Sequence, residues 1–370
     1  MLSENNKIST WQLQILLIID IFGTGMTALP RLVGAQAGVD SWICILIATA
    51  IVALFSYIMC LVSSKHPAEN FFELASKLLT KPVAVIISAA FLIRIIMICA
   101  TELRAFGEIV RLSILPTAPF PIIAAVMLAI AAYPAYKGYE TRARTAEILI
   151  LVIFTPLILI FGMAIFSVDY SNLLPVLVSS TPTQIGSGTL TAIWAFKGVE
   201  LVLLAFPYVS NRSKKTAAHV ASSIALTGVL MTAVTTLTIA RFGLSEVTRQ
   251  MWPVLEMMDT TLTAGSFFDR LDAMMMSFWI VSVFAITSAC IFFGAVLCRD
   301  VANGFVHRKK SSHKTLIIPL AIIVLFVSFL PRNITEVFSW KASTDKILGA
   351  AFIFALPLLL FIGYQFRKKD

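Results

Sequence analysis

The chain has 370 residues, of which 58% are hydrophobic and only 13% charged, and its mean hydropathy is +0.89. This composition excludes a water-soluble globular protein and a disordered one. The formal net charge of +9 does not indicate a nucleic-acid-binding protein, because the lysines and arginines lie in short loops between apolar segments, where they set the orientation of a membrane protein. We therefore expect an integral membrane protein that contacts the lipid bilayer and binds no nucleic acid.

The first apolar segment, 11–33, is long enough to cross a bilayer but contains Gly23, Thr24 and Gly25 at its centre. Glycines lower the cost of unwinding a helix, and unwound backbone in a membrane is tolerated only where it faces protein or a wet cavity. The helix ends at such a break suit an anionic group such as a carboxylate. We predict a ligand site here; the alternative is that the glycines let a neighbouring helix pack closely.

Four further apolar segments precede residue 169. They predict membrane-spanning helices at 42–62, 82–112, 119–136 and 146–168, with an amphipathic helix at 67–79 on the cytoplasmic surface and a basic loop at 137–144. The next connection, 169–188, contains no lysine or arginine, which places it on the opposite side of the membrane.

The segment at 82–112 carries charges at membrane depth. Each costs about 2.5 to 3.5 kcal/mol on insertion scales, so we expect these side chains to face the bundle interior or water. Arg104 and Glu108 are spaced i, i+4, a spacing at which opposite charges pair. Pairing near the outer interface accounts for these two residues but leaves Arg94, at mid-span, unexplained.

The second half of the chain repeats this organisation, with predicted spans at 190–208, 217–240, 268–297, 316–330 and 347–364. The first of these is interrupted by Lys197, Gly198 and Glu200. Broken segments at corresponding positions of two halves indicate a transporter binding site. The two charges either neutralise each other at i, i+3, or Glu200 meets an amine or a proton while Lys197 offers a fixed positive charge.

The pattern predicts an all-α integral membrane protein of ten transmembrane helices. Interruptions in spans one and six and over-long segments at spans three and eight indicate a five-plus-five inverted repeat, with halves at 11–168 and 189–366 in one transmembrane domain. The basic loops lie mostly on the side of the N-terminus, so both termini are expected in the cytoplasm.

The cysteines and histidines give no sign of a metal, a cofactor or catalysis. The five cysteines lack a paired or metal-type spacing and are expected to be small buried hydrophobes. The four histidines map to predicted cytoplasmic loops, and no nucleotide-cradling motif is present. We therefore predict no metal, no cofactor and no enzymatic activity.

Several short motifs resemble a known family. Gly23-Thr24-Gly25 followed by Leu29-Pro30 resembles the broken first helix of the amino acid, polyamine and organocation transporter superfamily. The order and spacing of further residues resemble the endospore germination permease family, the B subunits of nutrient germinant receptors. These residues are Ile8, Ser9, Gln12, Gly138, Glu140, Ala143, Arg144, Phe196, Gly198, Glu200, Arg270, Asp272 and Trp279. Asp269 replaces an expected glutamate, and the threonine within 115–119 is shifted by one position.

The resemblance implies a LeuT-like fold with broken helices 1 and 6 in the inner membrane of a dormant spore. The protein would sense a small nutrient such as an amino acid together with an A subunit and a lipoprotein C subunit. Its ligand would lie between spans one, three, six and eight. The implied ligand-binding residues are Gly23, Thr24 and Gly25 as backbone donors and Phe196, Gly198 and Glu200 as the span-six wall, with Cys99 and Thr287 added from depth alone. Arg142 and Arg144 are expected to be structural.

Two functions remain open at this point. One is a receptor subunit whose ligand shifts a conformational equilibrium that partner proteins read. The other is a proton- or sodium-coupled amino-acid permease, which needs the same site. Ligand uptake into vesicles without partners favours the permease, and binding without uptake favours the receptor. A membrane-embedded enzyme is a more distant alternative, which substrate turnover by the purified protein would revive.

Overall fold

In the computed structural model, the described residues are 7–66, 69–178, 180–210, 214–260, 271–305 and 312–367. Within them the chain is helical apart from turns, short connections and one parallel bridge between Ile8 and Val209. The helices of the first half are α1 Thr10–Gly25, α2 Leu29–Ala37, α3 Ser41–Ser64, α4 Phe71–Leu78, α5 Lys81–Ser113, α6 Phe120–Lys137 and α7 Tyr139–Ala164.

The helices of the second half follow a connection that contains the 3-10 turn Tyr170–Leu173. They are α8 Pro182–Ile193, α9 Val202–Ala205, α10 Lys214–Phe242, α11 Leu244–Val247, α12 Pro253–Thr260, α13 Leu271–Phe305, α14 Lys314–Phe329, α15 Ile334–Thr344 and α16 Leu356–Arg367. Two π-helical turns, Asp345–Gly349 and Ala351–Ala355, join α15 to α16.

The chain is an integral membrane protein by the length and apolarity of its helices. Among the described residues, the stretches able to cross a bilayer are Leu29–Ser64, Lys81–Leu112, Phe120–Lys137, Tyr139–Ala164, Lys215–Phe242, Trp279–Gly304 and Ile334–Arg367. An eighth span results if Pro182–Phe196 and Val199–Tyr208, which meet at a 47° bend, count as one. Thr10–Gly23 and Lys314–Phe329 are shorter apolar helices.

A first interruption separates α1 from α2 at residues 26–28. Helix α1 begins with a capping box between Ser9 and Gln12, which satisfies two backbone N–H groups at its start. Helix α2 begins at Leu29, followed by Pro30, and its N-cap Ala28 makes no side-chain capping bond. The backbone N–H groups that open α2 therefore lack a side-chain cap.

A second interruption, residues 194–201, separates α8 from α9. It consists of the 3-10 turns Trp194–Phe196 and Val199–Leu201 around Lys197 and Gly198. Gly198 has φ +95°, a left-handed conformation that costs a residue with a Cβ about 1 to 2 kcal/mol. Glycine at this position therefore permits the change of direction.

Helix α13 lies at the centre of the bundle and packs against α1, α5, α6 and α7. Helix α1 also packs against α10, α2 packs against α8, and α3 packs against α8 and α10. Fully buried phenylalanines where these helices meet include Phe22, Phe196, Phe206 and Phe292. This packing holds the two interruptions side by side.

The first interruption lies at residues 26–28, after Gly23 and Gly25, which are still part of α1. Two helix boundaries also differ from the sequence-based expectation. The basic stretch 137–144 is not a loop, because Gly138 alone, at φ +123°, joins α6 to α7. The last span begins not at residue 347 but at Ile334. In both places buried charged side chains, which read as loop residues in the sequence, lie on a helix and pair with residues on other helices.

Candidate ligand-binding cavity

A cavity of about 480 Å³ lies where the two interruptions meet. The cavity lies on the side of the bundle that contains α2, which follows the first interruption, and α8, which precedes the second. Gly25, Thr27 and Ala28 line it from the first interruption, and Trp194 and Ala195 from the second. Helices α5 and α15 close the opposite wall. Further aromatic walls are Trp252, Trp279 and Phe338. The size and mixed lining suit a small organic ligand.

A cluster of three charges lines the cavity, and we call it the lysine-pair cluster: Glu102, Lys197 and Lys341. Oε1 of Glu102 contacts the ammonium groups of both lysines, with 3.0 Å to Lys341. Glu102 is on α5, Lys197 lies in the second interruption and Lys341 is on α15. Their side chains are 6%, 10% and 16% exposed. The carboxylate of Glu102 thus links α5 to the second interruption and to α15.

A second cluster, which we call the arginine cluster, lies beneath the first: Arg94, Glu200 and Asp345. Nε of Arg94 donates to Oε1 of Glu200 at 3.1 Å, and its Nη1 donates to Asp345. The side chains of Arg94 and Glu200 are 1% and 0% exposed. The other carboxylate oxygen of Glu200 accepts from the backbone N–H of Gly198 at 3.0 Å. The arginine cluster therefore fixes the second interruption to α5 and to the turn after α15.

Arg142 and Asp20 form a third buried pair, between α7 and α1. Nη2 of Arg142 donates to both carboxylate oxygens of Asp20, with 2.6 Å to Oδ2, and to the carbonyl of Ala285 on α13 at 3.1 Å. Its Nε and Nη1 are buried and have no hydrogen-bond partner in the described part of the chain. The pair joins the first half of α1 to α7 and α13.

Of the residues predicted to bind ligand, Gly25 lines the cavity. Gly23 is buried against α13, since a Cβ there would lie 2.0 Å from Cβ of Ser282. A Cβ on Gly25 would lie 2.3 Å from the carbonyl oxygen of Ala195. At both positions the absence of a side chain therefore allows a neighbouring segment to pack closely, which is the alternative considered from the sequence. The Thr24 side chain lies outside the described residues.

The other predicted ligand residues lie deeper than the cavity lining. Phe196, Glu200, Cys99 and Thr287 are fully buried, and Gly198 is buried in the second interruption. The hydroxyl of Thr287 has no hydrogen-bond partner among the described residues. Their role in ligand binding stays a prediction.

Sequence reasoning missed Glu102, Lys341 and Asp345 as residues of the cavity wall. Lys341 and Asp345 precede the last span expected at 347–364, and Lys197 and Glu200 were considered as partners of each other. The structure instead pairs Lys197 with Glu102 and Glu200 with Arg94. The i, i+4 spacing of Lys341 and Asp345 is the signal that points to a charged helix face at this position.

The predicted pair of Arg104 and Glu108 is confirmed, at 2.9 Å. Of the motif residues that resemble the germination permease family, Arg270 and the side chain of Asp272 lie outside the described residues, as does Asp269, which departs from the family pattern. Among the described residues there is no group of three or more His, Cys, Asp or Glu side chains placed to hold a metal ion.

Apolar helices packed around a cavity walled by buried ion pairs define the class as a helical membrane protein, and its fold is that of a transporter. The chain is similar to a solved structure of a Na⁺-coupled sialic acid symporter in a substrate-bound, outward-open state. The TM-score is 0.63 over 96% of this chain and 78% of that one, at 15% identity. A likeness at this identity shows the fold alone.

The chain belongs to the family described as spore germination protein, whose model matches residues 7–337. Spore germination protein YndE of Bacillus subtilis (strain 168) is 27% identical to it, over 100% of this chain and 99% of its own length. Spore germination proteins A2 and KB of the same organism are each 24% identical, over 98% and 99% of this chain and 97% and 96% of their own lengths. The resemblance found in the sequence is thereby confirmed, and neither these relatives nor the structural neighbour is described as an enzyme.

Proposed function

We propose that the protein is the membrane-embedded B subunit of a nutrient germinant receptor. It binds a small nutrient, an amino acid, in the cavity between the two interruptions and signals germination through an A subunit and a lipoprotein C subunit. Membership of the spore germination protein family supports this role. The fold supports it as well, because transporter folds bind small solutes where interrupted helices meet.

The proposed topology has ten spans in one domain with both termini in the cytoplasm, in the spore inner membrane. In this proposal α1 and α2 together make span one and α3 makes span two, and the pair that meets at a 47° bend makes span six. Helix α14 supplies span nine. The halves at 11–168 and 189–366 are then inverted repeats, each opening with an interrupted span. The basic loops on the side of the N-terminus support this orientation.

The observation that carries the proposal is the cavity itself. Its volume of about 480 Å³ exceeds that of one amino acid, and its wall offers charged groups of both signs beside tryptophan side chains. An apolar pocket with a few convergent polar groups is the usual form of a small-molecule site. The buried hydroxyl of Thr287, without a described partner, supports the prediction that a ligand reaches the deeper residues.

A proton- or sodium-coupled amino-acid permease is the second candidate. Its support is the fold likeness to a Na⁺-coupled symporter. Reconstitution of the purified chain in vesicles separates the two functions. Binding of an amino acid without its uptake supports the receptor, whereas uptake driven by a proton or sodium gradient supports the permease.

The experiment that tests the proposal is thermal stabilisation of the purified protein by a panel of amino acids, sugars and nucleosides. The panel is repeated on Ala105→Phe, which places a ring in the cavity from α5. Ala125→Phe, on an exposed face of α6, is the matched control. We expect selective stabilisation of the wild type and of Ala125→Phe but not of Ala105→Phe. Equal stabilisation of all three proteins, or of none, contradicts nutrient binding in this cavity.

A further inference from the structure

The strongest unassigned feature of the cavity wall is the lysine-pair cluster, in which Lys197 and Lys341 share one carboxylate, Glu102. Both ammonium groups contact the same oxygen, Oε1. An ammonium group can donate three hydrogen bonds, so neither lysine is saturated by this contact. The cluster has two positive charges against one negative charge, and all three side chains line the cavity.

Among the residues that the structure describes, the neighbouring charges do not remove this excess. Lys346 adds a further positive charge to the cavity wall. Asp345 also lines the cavity, but Arg94 donates to its carboxylate from the buried side. Arg94 and Glu200 do not line the cavity. The N-terminal end of α2, which carries no side-chain cap at Ala28, opens on the same space, and its helix dipole adds to the positive potential.

Excess positive charge in a partly buried site is costly unless an anion compensates it. We propose, on the basis of the proposed function, that the nutrient carries a carboxylate and that Lys197 and Lys341 bind this carboxylate in the cavity. Glu102 holds the two lysines in position and competes with the ligand for them. The cavity therefore selects for an acid and against the corresponding amide, sugar or nucleoside.

The variant Lys341→Met tests this proposal without leaving a buried charge alone. Glu102 keeps Lys197 as its partner, and methionine matches the unbranched stem of lysine, so the protein is expected to fold. Lys137→Met is the control, because it removes an exposed positive charge at the C-terminal end of α6, away from the cavity. The probes are the twenty amino acids, the carboxamide of each, glucose and inosine, and the measurement is the apparent Kd from thermal stabilisation.

We expect at least one amino acid to stabilise the wild type and its carboxamide to fail. Lys341→Met should raise the apparent Kd for that amino acid about tenfold, the effect of losing one charge-assisted hydrogen bond, and Lys137→Met should leave that Kd unchanged. If the carboxamide, glucose or inosine binds as well as the acid, or if Lys341→Met binds like the wild type, the carboxylate subsite is wrong while nutrient binding stands.

A second measurement needs no nutrient. Trp194, Trp252 and Trp279 line the cavity, so their fluorescence reports the local concentration of a quencher. Iodide should quench wild type more than Lys341→Met, whereas neutral acrylamide should quench both equally. Lys137→Met, at the far end of α6, is the control. If no probe binds the wild type, the proposed function fails for the isolated chain. The iodide quenching then tests the anion subsite by itself. Equal iodide quenching of Lys341→Met and of the wild type overturns the anion subsite.

Discussion

Nε of Arg94 donates to Oε1 of Glu200 at 3.1 Å, across 106 positions of the chain, and the two side chains are 1% and 0% exposed. Arg94 also donates to Asp345. The guanidinium group thus holds α5, the second interruption and the turn after α15 in one arrangement. The second interruption cannot move relative to α5 unless the hydrogen bond between Arg94 and Glu200 breaks or the Arg94 side chain moves with it.

Replacement of Arg94 by methionine is expected to destabilise the protein strongly, because Glu200 and Asp345 then lie buried without a counter-charge. The cost of such a change is about 3 to 5 kcal/mol. Glu200→Gln is the matched variant: its amide oxygen can still accept from Gly198, and Arg94 keeps Asp345. Thermal melting of the purified variants should show a large fall for Arg94→Met and a small one for Glu200→Gln. Equal melting temperatures would show that the arginine cluster does not hold the fold.

The pair of Asp20 and Arg142 is expected to show strong energetic coupling. Arg142→Met leaves Asp20 buried alone, and Asp20→Asn leaves a buried guanidinium group, so each single change is destabilising. The double variant should be more stable than the sum of the singles predicts, with a coupling energy of about 1 to 3 kcal/mol from a double-mutant cycle. The more exposed pair of Glu140 and Arg144 is the control, with coupling of about 0.5 kcal/mol or less. Comparable coupling in both pairs would contradict the structural role of Arg142.

Gly23→Ala is expected to destabilise the protein by about 1 to 3 kcal/mol, because the added Cβ meets Ser282 at 2.0 Å. The further change Ser282→Gly should restore part of the loss. Gly162→Ala is the control, since nothing lies within 4 Å of a Cβ there, and it should be neutral or stabilise by about 0.4 to 1 kcal/mol. Melting temperatures measure all three, and an unaffected Gly23→Ala would mean that α1 and α13 are farther apart.

Gly25→Ala needs two readouts, because Gly25 both lines the cavity and contacts the backbone of Ala195. The clash at 2.3 Å is with a carbonyl oxygen, which no side-chain change relieves. We expect a lower amount of protein in the membrane and a weaker response of the remaining protein to nutrient. Loss of response at an unchanged protein level would support the ligand role alone, and loss of protein with a normal response per molecule would support packing alone.

Stability is expected to fall in mild acid because of His313. Burial lowers the pKa of His313, and Arg299 and Lys314 lower it further. A histidine with a lowered pKa contributes stability that is fully present above its unfolded pKa of about 6.5 and is lost as the pH falls through the folded value. The melting temperature of His313→Gln should therefore depend less on pH between 7.5 and 5 than that of wild type. His219→Gln, at an exposed position, should behave like wild type; an unchanged slope in His313→Gln would contradict this assignment.

The long apolar segments could be predicted from the sequence because a helix that crosses the bilayer needs about 20 consecutive apolar residues. The stretch at 82–112 became the helix Lys81–Ser113 with little change. Gly198 marked the second interruption, where the backbone turns at a positive φ, whereas Gly23 and Gly25 are part of α1 and the first interruption follows them at residues 26–28. The short motifs also identified the family, because their order and spacing can be read along the chain without knowing which residues are in contact.

The ends of helices were misread wherever charged residues are buried. Lys341 and Asp345 lie just before the expected start of the last span at residue 347, and Arg142 lies in the expected basic loop. Each reads as a loop residue because a lone charge in a membrane is costly. Each is instead on or beside a helix, paired with a residue on a distant segment.

The sequence by itself determined that this protein is a helical membrane protein, where its helices weaken and which family it belongs to. Only the tertiary structure decided how the buried charges pair between helices, that Gly25 lines the cavity among the described ligand candidates, and that Lys197 and Lys341 share Glu102. The physical reason is that the cost of a buried charge depends on its partner, and partners that are far apart along the chain leave no periodic signal in the sequence.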